Sequence, residues 1–167
     1  VFLETIFLLK DKLPSLKFCL VKSNNVSIKN VPDFIIIESF SINALKYGTA
    51  AISSSGTVTL ECALAEIPTI VCYKTSYINW MIFKMFGKVD FISIVNLIAE
   101  ERVIPELIQN EMTSKKILPL LFEYLSLSSK KRKKTLAKYK TIRTKLGSPG
   151  MFDRVAKHII SKKDNEE

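Results

Sequence analysis

The sequence has few of the residues that most often carry metal or redox chemistry. His158 is its single histidine, which excludes a catalytic triad or a zinc site built on a pair of imidazoles. Its three cysteines, Cys19, Cys62 and Cys72, stand apart in apolar surroundings, without metal-ligand or redox spacing. They read as reduced, buried thiols of a cytoplasmic protein. No apolar run reaches the ~18 residues of a membrane span. The opening stretch, Val1 to Lys12, lacks the basic start of a signal peptide and carries Glu4 inside its apolar part. No internal repeat is present. Acidic residues are in the minority, 16 against 25 Lys and Arg, which leaves a net charge of +9. Such an excess calls for an anionic partner: nucleic acid, an anionic membrane surface or an acidic substrate. The densest basic run, Lys130-Lys131-Arg132-Lys133-Lys134, has no interleaved aromatic until Tyr139, and no groove-reading motif accompanies it. Nucleic acid is therefore the poorest of the three partners. A solvated helix start would carry the same run.

What is present describes a globular protein. With 167 residues, 47% hydrophobic and 25% charged, the chain is long enough for one domain with a core. Phe2, Ile6, Leu9 and Leu13 recur at helical spacing and predict an amphipathic helix closed by Pro14. A doubly wound domain ordinarily starts on a strand, so an upstream first strand is expected. Strands are expected at Lys17–Val21, Asp33–Glu38, Thr49–Ile52, Pro68–Tyr73 and Phe91–Ile94. Helices are expected from Ser41 to Lys46, after Gly56, from Val103 to Asn110, and from Ser114 to Ser126 with an interruption or kink at Pro119. A basic helix marked by Leu136, Tyr139, Ile142 and Leu146 ends at Gly147, and a last helix carries Val155, Ile159 and Ile160. The alternation predicts an α/β fold with a Rossmann-like parallel sheet, helices on both faces and a C-terminal helical extension. Residues 1–126 form the expected sheet domain and residues 127–167 the basic C-terminal helices, with a frayed tail from Lys162.

The chain is organised around Ser53-Ser54-Ser55-Gly56-Thr57-Val58-Thr59-Leu60-Glu61. Strand, small-residue loop and helix in that order present a helix N-terminus at the carboxyl edge of a sheet. The free N–H groups there suit a phosphate, and Gly56 lets a ligand approach the backbone. Thr57 and Glu61 are four apart and share a face, which sets a carboxylate one turn behind the loop, in reach of sugar hydroxyls. A Ser or Thr helix cap followed by a solvated Glu would have the same spacing. Residues 77–88 are too apolar for an ordinary surface helix. They suit a core helix, or a helix in a membrane interface with Trp80, Phe83, Lys84 and Lys88 as its lipid-facing residues.

Four blocks taken together resemble the lipid-A-disaccharide synthase family. They are Ser55 to Glu61, then Pro68 with Tyr73-Lys74, then Phe91-Ile92-Ser93-Ile94-Val95-Asn96-Leu97-Ile98-Ala99, then Pro105-Glu106-Leu107-Ile108-Gln109. The resemblance implies one half of a two-domain GT-B glycosyltransferase, the half that binds the UDP-sugar. The implied reaction joins UDP-2,3-diacylglucosamine to 2,3-diacylglucosamine 1-phosphate with release of UDP, without metal or other cofactor, at the inner face of the bacterial inner membrane. By the same likeness Glu61 holds the ribose hydroxyls, Ser55, Gly56 and Thr57 the diphosphate, and Asn96, Glu106 and Gln109 surround the cleft.

Three departures qualify that picture. The acceptor-binding N-terminal domain, expected to supply any general base, is not in this sequence, so no catalytic residue is expected in this chain. The opening strand and its Pro-Gly-Ser-Arg loop are also missing, and Ala99-Glu100 stands where the family has Ala-Gly. The alternative to a donor-binding enzyme half is a nonenzymatic remnant or nucleotide-sugar-binding module.

Overall fold

The computed structural model describes residues 1–23, 25–39, 45, 47–76, 90–148 and 150–163. The stretch 77–88, with Trp80, Phe83, Lys84 and Lys88, lies outside the described residues, as do most of the expected 41–46 helix and the tail beyond residue 163.

Strand β1 (Phe18–Lys22) pairs with β2 (Ile35–Ser39), and β3 (Ala51–Ser53) with β4 (Thr69–Tyr73), which in turn pairs with β5 (Glu106–Ile108). Every pairing is parallel, with Val71 beside Glu106 and Ile52 beside Ile70. Parallel strands need cover on both faces, and β4 shows how it is met. Its Ile70 and Cys72 enter a cluster with Leu9 of α1 (Phe2–Lys12) and Ile117, Leu121 and Tyr124 of α4 (Ser114–Leu125). Its Val71 turns to the other face, against Ala63 of α2 (Thr57–Leu64), Val95 of α3 (Ile94–Ala99), and Tyr139 and Ile142 of α5 (Lys130–Lys145). This is the Rossmann-like α/β arrangement with helices on both faces, followed by α6 (Met151–Lys163). Among the described residues β1 and β3 do not pair with each other, although Phe18 and Ile52 pack on the same cluster.

Two expected elements change identity. Phe91–Ile94 is not a strand: Ser93 accepts from the Asn96 backbone N–H and caps α3, which begins at Ile94. The β-branched run had β-propensity, but the cap turned it into a helix start. Val103–Asn110 is not a helix. It holds β5 and a 3-10 turn at Gln109–Glu111, because the Val71 N–H bonds the Pro105 carbonyl at 2.9 Å and draws the segment onto β4.

Smaller corrections concern burial. On α1 the inward residues are Thr5 and Leu9, while Phe2 lies exposed. Thr5 can be fully buried because its hydroxyl donates to the Val1 carbonyl at 2.9 Å. Strand β1 is only half-buried and its Cys19 is exposed, whereas Cys62 and Cys72 are buried. Pro119 lies inside α4 without ending it, and α4 is capped by Thr113.

Candidate functional site

The carboxyl end of β3 runs into the Ser54–Gly56 loop, and the loop into α2. Gly56 is the N-cap, with φ 151° and ψ −170°, a region open essentially to glycine alone. No side chain caps α2. The nearby hydroxyls are turned elsewhere: Ser55 Oγ donates to the Ile92 carbonyl at 2.8 Å, and Thr59 Oγ1 to the Gly56 carbonyl at 2.7 Å. Thr57 is exposed at the first helical position. A first helical turn without a side-chain cap carries partial positive charge and directs N–H groups outward. The cap-plus-solvated-Glu alternative therefore does not describe this helix.

Glu61 sits one turn further in. Its Oε2 is buried and has no hydrogen-bond partner among the described residues. An unpartnered carboxylate oxygen out of water is costly unless something donates to it.

Asn96 and Glu106 are placed differently. Asn96 is fully buried and its amide is saturated. Nδ2 donates to the Ile104 carbonyl at 2.9 Å and to Glu106 Oε1 at 2.8 Å, while Oδ1 accepts from the Val103 and Ile104 N–H groups at 2.8 and 3.0 Å. Glu106, 5% exposed, accepts at Oε1 from the Ser93 N–H at 2.9 Å and at Oε2 from the Ile92 N–H at 3.1 Å. Gln109 makes a paired contact with Thr75, accepting from its N–H and donating to its carbonyl, both at 3.1 Å.

The fold thus brings Ser55, Gly56, Thr57 and Glu61 together around the start of α2. Ser55 joins them to the Asn96–Glu106 pair through the Ile92–Ser93 turn, and Gln109 stands apart at Thr75. Two participants were missed from sequence. Ser93 could have been found from its Ser-x-x-Asn cap spacing with Asn96. The Ile92 carbonyl carried no sequence signal, because any residue supplies one.

A family model described as Lipid-A-disaccharide synthetase matches residues 1–154. A lipid-A-disaccharide synthase of Geobacter metallireducens is 33% identical over 96% of this chain and 44% of its own length. One of Gloeothece citriformis is 38% identical over 75% of this chain and 33% of its own. One of Geobacter sulfurreducens is 30% identical over 96% and 44%. The chain spans less than half the length of these relatives. Matched over most of its residues, the chain belongs to the lipid-A-disaccharide synthetase family.

Proposed function

We propose that this chain is the donor-binding half of a lipid-A-disaccharide synthase of the GT-B type. It holds UDP-2,3-diacylglucosamine while the sugar passes to 2,3-diacylglucosamine 1-phosphate. In that transfer an acceptor hydroxyl attacks the anomeric carbon, the bond to the diphosphate breaks, and UDP leaves. The uncapped start of α2, with Ser55, Gly56 and Thr57, faces the diphosphate and stabilises the charge that gathers on it. Glu61 accepts from the ribose hydroxyls. The observation that carries this is Glu61 Oε2, buried without a donor among the described residues, one turn behind an uncapped helix N-terminus.

The other half of the chemistry belongs to another stretch of polypeptide. The acceptor site and a base to take the hydroxyl proton are assigned to an N-terminal domain, in the same or a separate chain. The edges of β1 and β3, unpaired among the described residues and over one shared cluster, suit a further parallel strand between them. That strand would deliver its following loop beside Ser54–Gly56.

The substrates are acylated, so the proposed location is peripheral, on the cytoplasmic face of the bacterial inner membrane. Among the described residues no helix is long and apolar enough to cross a membrane. Within the basic block, Lys131 pairs with Glu123 at 2.9 Å and Arg132 bonds the Thr49 carbonyl at 2.7 Å. Lys130, Lys133 and Lys134 are exposed and available to an anionic surface, alongside the proposed lipid contacts Trp80, Phe83, Lys84 and Lys88.

Calorimetric titration with UDP tests the donor site. Glu61→Ala is expected to weaken binding by ~1–3 kcal/mol, the range for losing a charged hydrogen-bond partner. Equal affinities for the two proteins would remove Glu61 from the site.

A further inference from the structure

We infer that Glu106 is a positioning residue of the donor site, acting on Ser55 through the backbone of Ile92. The inference rests on the reading of Ser55 to Glu61 as that site, and it explains why a carboxylate is buried among backbone donors.

The chain of contacts is continuous. Glu106 opens β5 in register with Val71, so its backbone is fixed by the central strand of its sheet. Its carboxylate collects three donors: the N–H groups of Ile92 and Ser93, and the Asn96 amide. Asn96 in turn spans to Val103 and Ile104, which lock the strand's lead-in to α3. The turn held this way offers its outward carbonyl, that of Ile92, to the Ser55 hydroxyl at 2.8 Å. Ser55 is the residue before the Gly56 N-cap, so the carboxylate sets the side of the loop from which the α2 N–H groups point.

A carboxylate is required by the donor count. An ionised Glu accepts at both oxygens and has no hydrogen to offer. Here every neighbour is a donor, so a neutral amide would bring one N–H against another. Glu106→Gln can keep its oxygen on Ser93 and Asn96. Its NH2 must then oppose the Ile92 N–H, 3.1 Å from Oε2. The substitution is nearly isosteric and strikes the shorter of the two contacts that hold Ile92, whose N–H also reaches Oε1 at 3.2 Å. A residue serving stability alone would loosen β5 and α3 generally. A positioning residue moves Ser55 in particular.

The test has two arms on the full chain. In the first, without nucleotide, amide NMR of Glu106→Gln should shift Ile92 and the Ser55–Thr57 amides, while the amides of β4 keep their positions. Approached from the other end, Ser55→Ala should shift the Ser93 amide, which follows the Ile92 carbonyl. This second variant keeps the test decisive if Glu106→Gln does not fold. In the second arm, UDP affinity is measured for Glu106→Gln, Ser55→Ala and the double variant. Each single change should weaken binding about tenfold, and the double variant should be no weaker than the worse single one. Losses that multiply in the double variant would overturn the inference, as would a Ser93 amide unmoved by Ser55→Ala. If wild type shows no UDP binding, the donor reading fails while the amide shifts still decide whether Glu106 sets Ser55. If Glu61→Ala weakens binding and Glu106→Gln does not, the donor reading stands and this inference falls.

Discussion

Glu61 and Glu106 are both carboxylates near one loop, and hydrogen bonding separates them. Glu106 has donors on both oxygens, while Glu61 Oε2 has none among the described residues. A carboxylate that is already satisfied holds structure, and the proposed function assigns the other to a ligand. The three thiols divide in the same way. Cys19 is exposed, Cys62 and Cys72 are buried, and burial pushes the Cys72 thiol up to about 12 from its ordinary 9.0. A thiol-labelling reagent at mild pH should therefore modify one cysteine in the folded chain and all three in denaturant. The sign of the pH effect follows. The Cys72 pKa is higher in the folded than in the unfolded chain, so its stabilising contribution is complete below pH 9.0 and is lost as pH rises toward about 12. Urea midpoints should fall across that range, and Cys72→Ala should flatten the slope.

Among the elements, α3 stands out for how it is held at both ends. Ser93 caps its start, and Glu100 ends it in the left-handed conformation, with φ 58° and ψ 21°. A residue with a Cβ is strained there, by about 1 kcal/mol or somewhat more. The Glu100 to Lys145 ion pair, at 3.8 Å on an exposed side chain, offsets little of it. Glu100→Gly is expected to raise stability by roughly 0.5–1 kcal/mol, less than the full strain because glycine loses more entropy on folding. A urea midpoint unchanged or lowered by that substitution would show that Glu100 is not strained. Ala99-Glu100 stands where the family has Ala-Gly, and the left-handed backbone supplies the reason a glycine suits it. Segment identities nearby were less legible. Phe91–Ile94 looked like a strand and Val103–Asn110 like a helix because local propensity favours both. A hydroxyl cap and a parallel pairing with β4, neither visible in a short window, decided otherwise.

At the scale of the molecule, the proposed function gives this chain one half of a reaction. On that proposal the start of α2 and Glu61 serve the departing nucleotide, and the acceptor site and base lie on another stretch of polypeptide. The chain alone is therefore expected to form no disaccharide from UDP-2,3-diacylglucosamine and 2,3-diacylglucosamine 1-phosphate, even where it binds UDP. Product above a blank, followed by chromatography of radiolabelled lipid, would place a general base within these residues. The outer surface is less committed. Helix α6 leaves Phe152, Val155, Ile159 and Ile160 exposed, and none of its residues enters the core clusters among the described residues.

By itself the sequence determined the α/β class, the family and the loop from Ser53 to Glu61. All of these rest on contiguous residues or on the order of blocks along the chain: alternating apolar runs, a small-residue turn, a Glu one helical turn later. The tertiary structure alone decided which polar residues face inward. Glu106 and Ile92 are 14 positions apart, Ser55 and Ile92 37, and Gln109 and Thr75 34. Contacts over such separations depend on how β5 and α3 pack against β4, and a local window contains none of that. Cys19 shows the same division: its neighbours in sequence are apolar, and only the packing of β1 left its thiol in solvent.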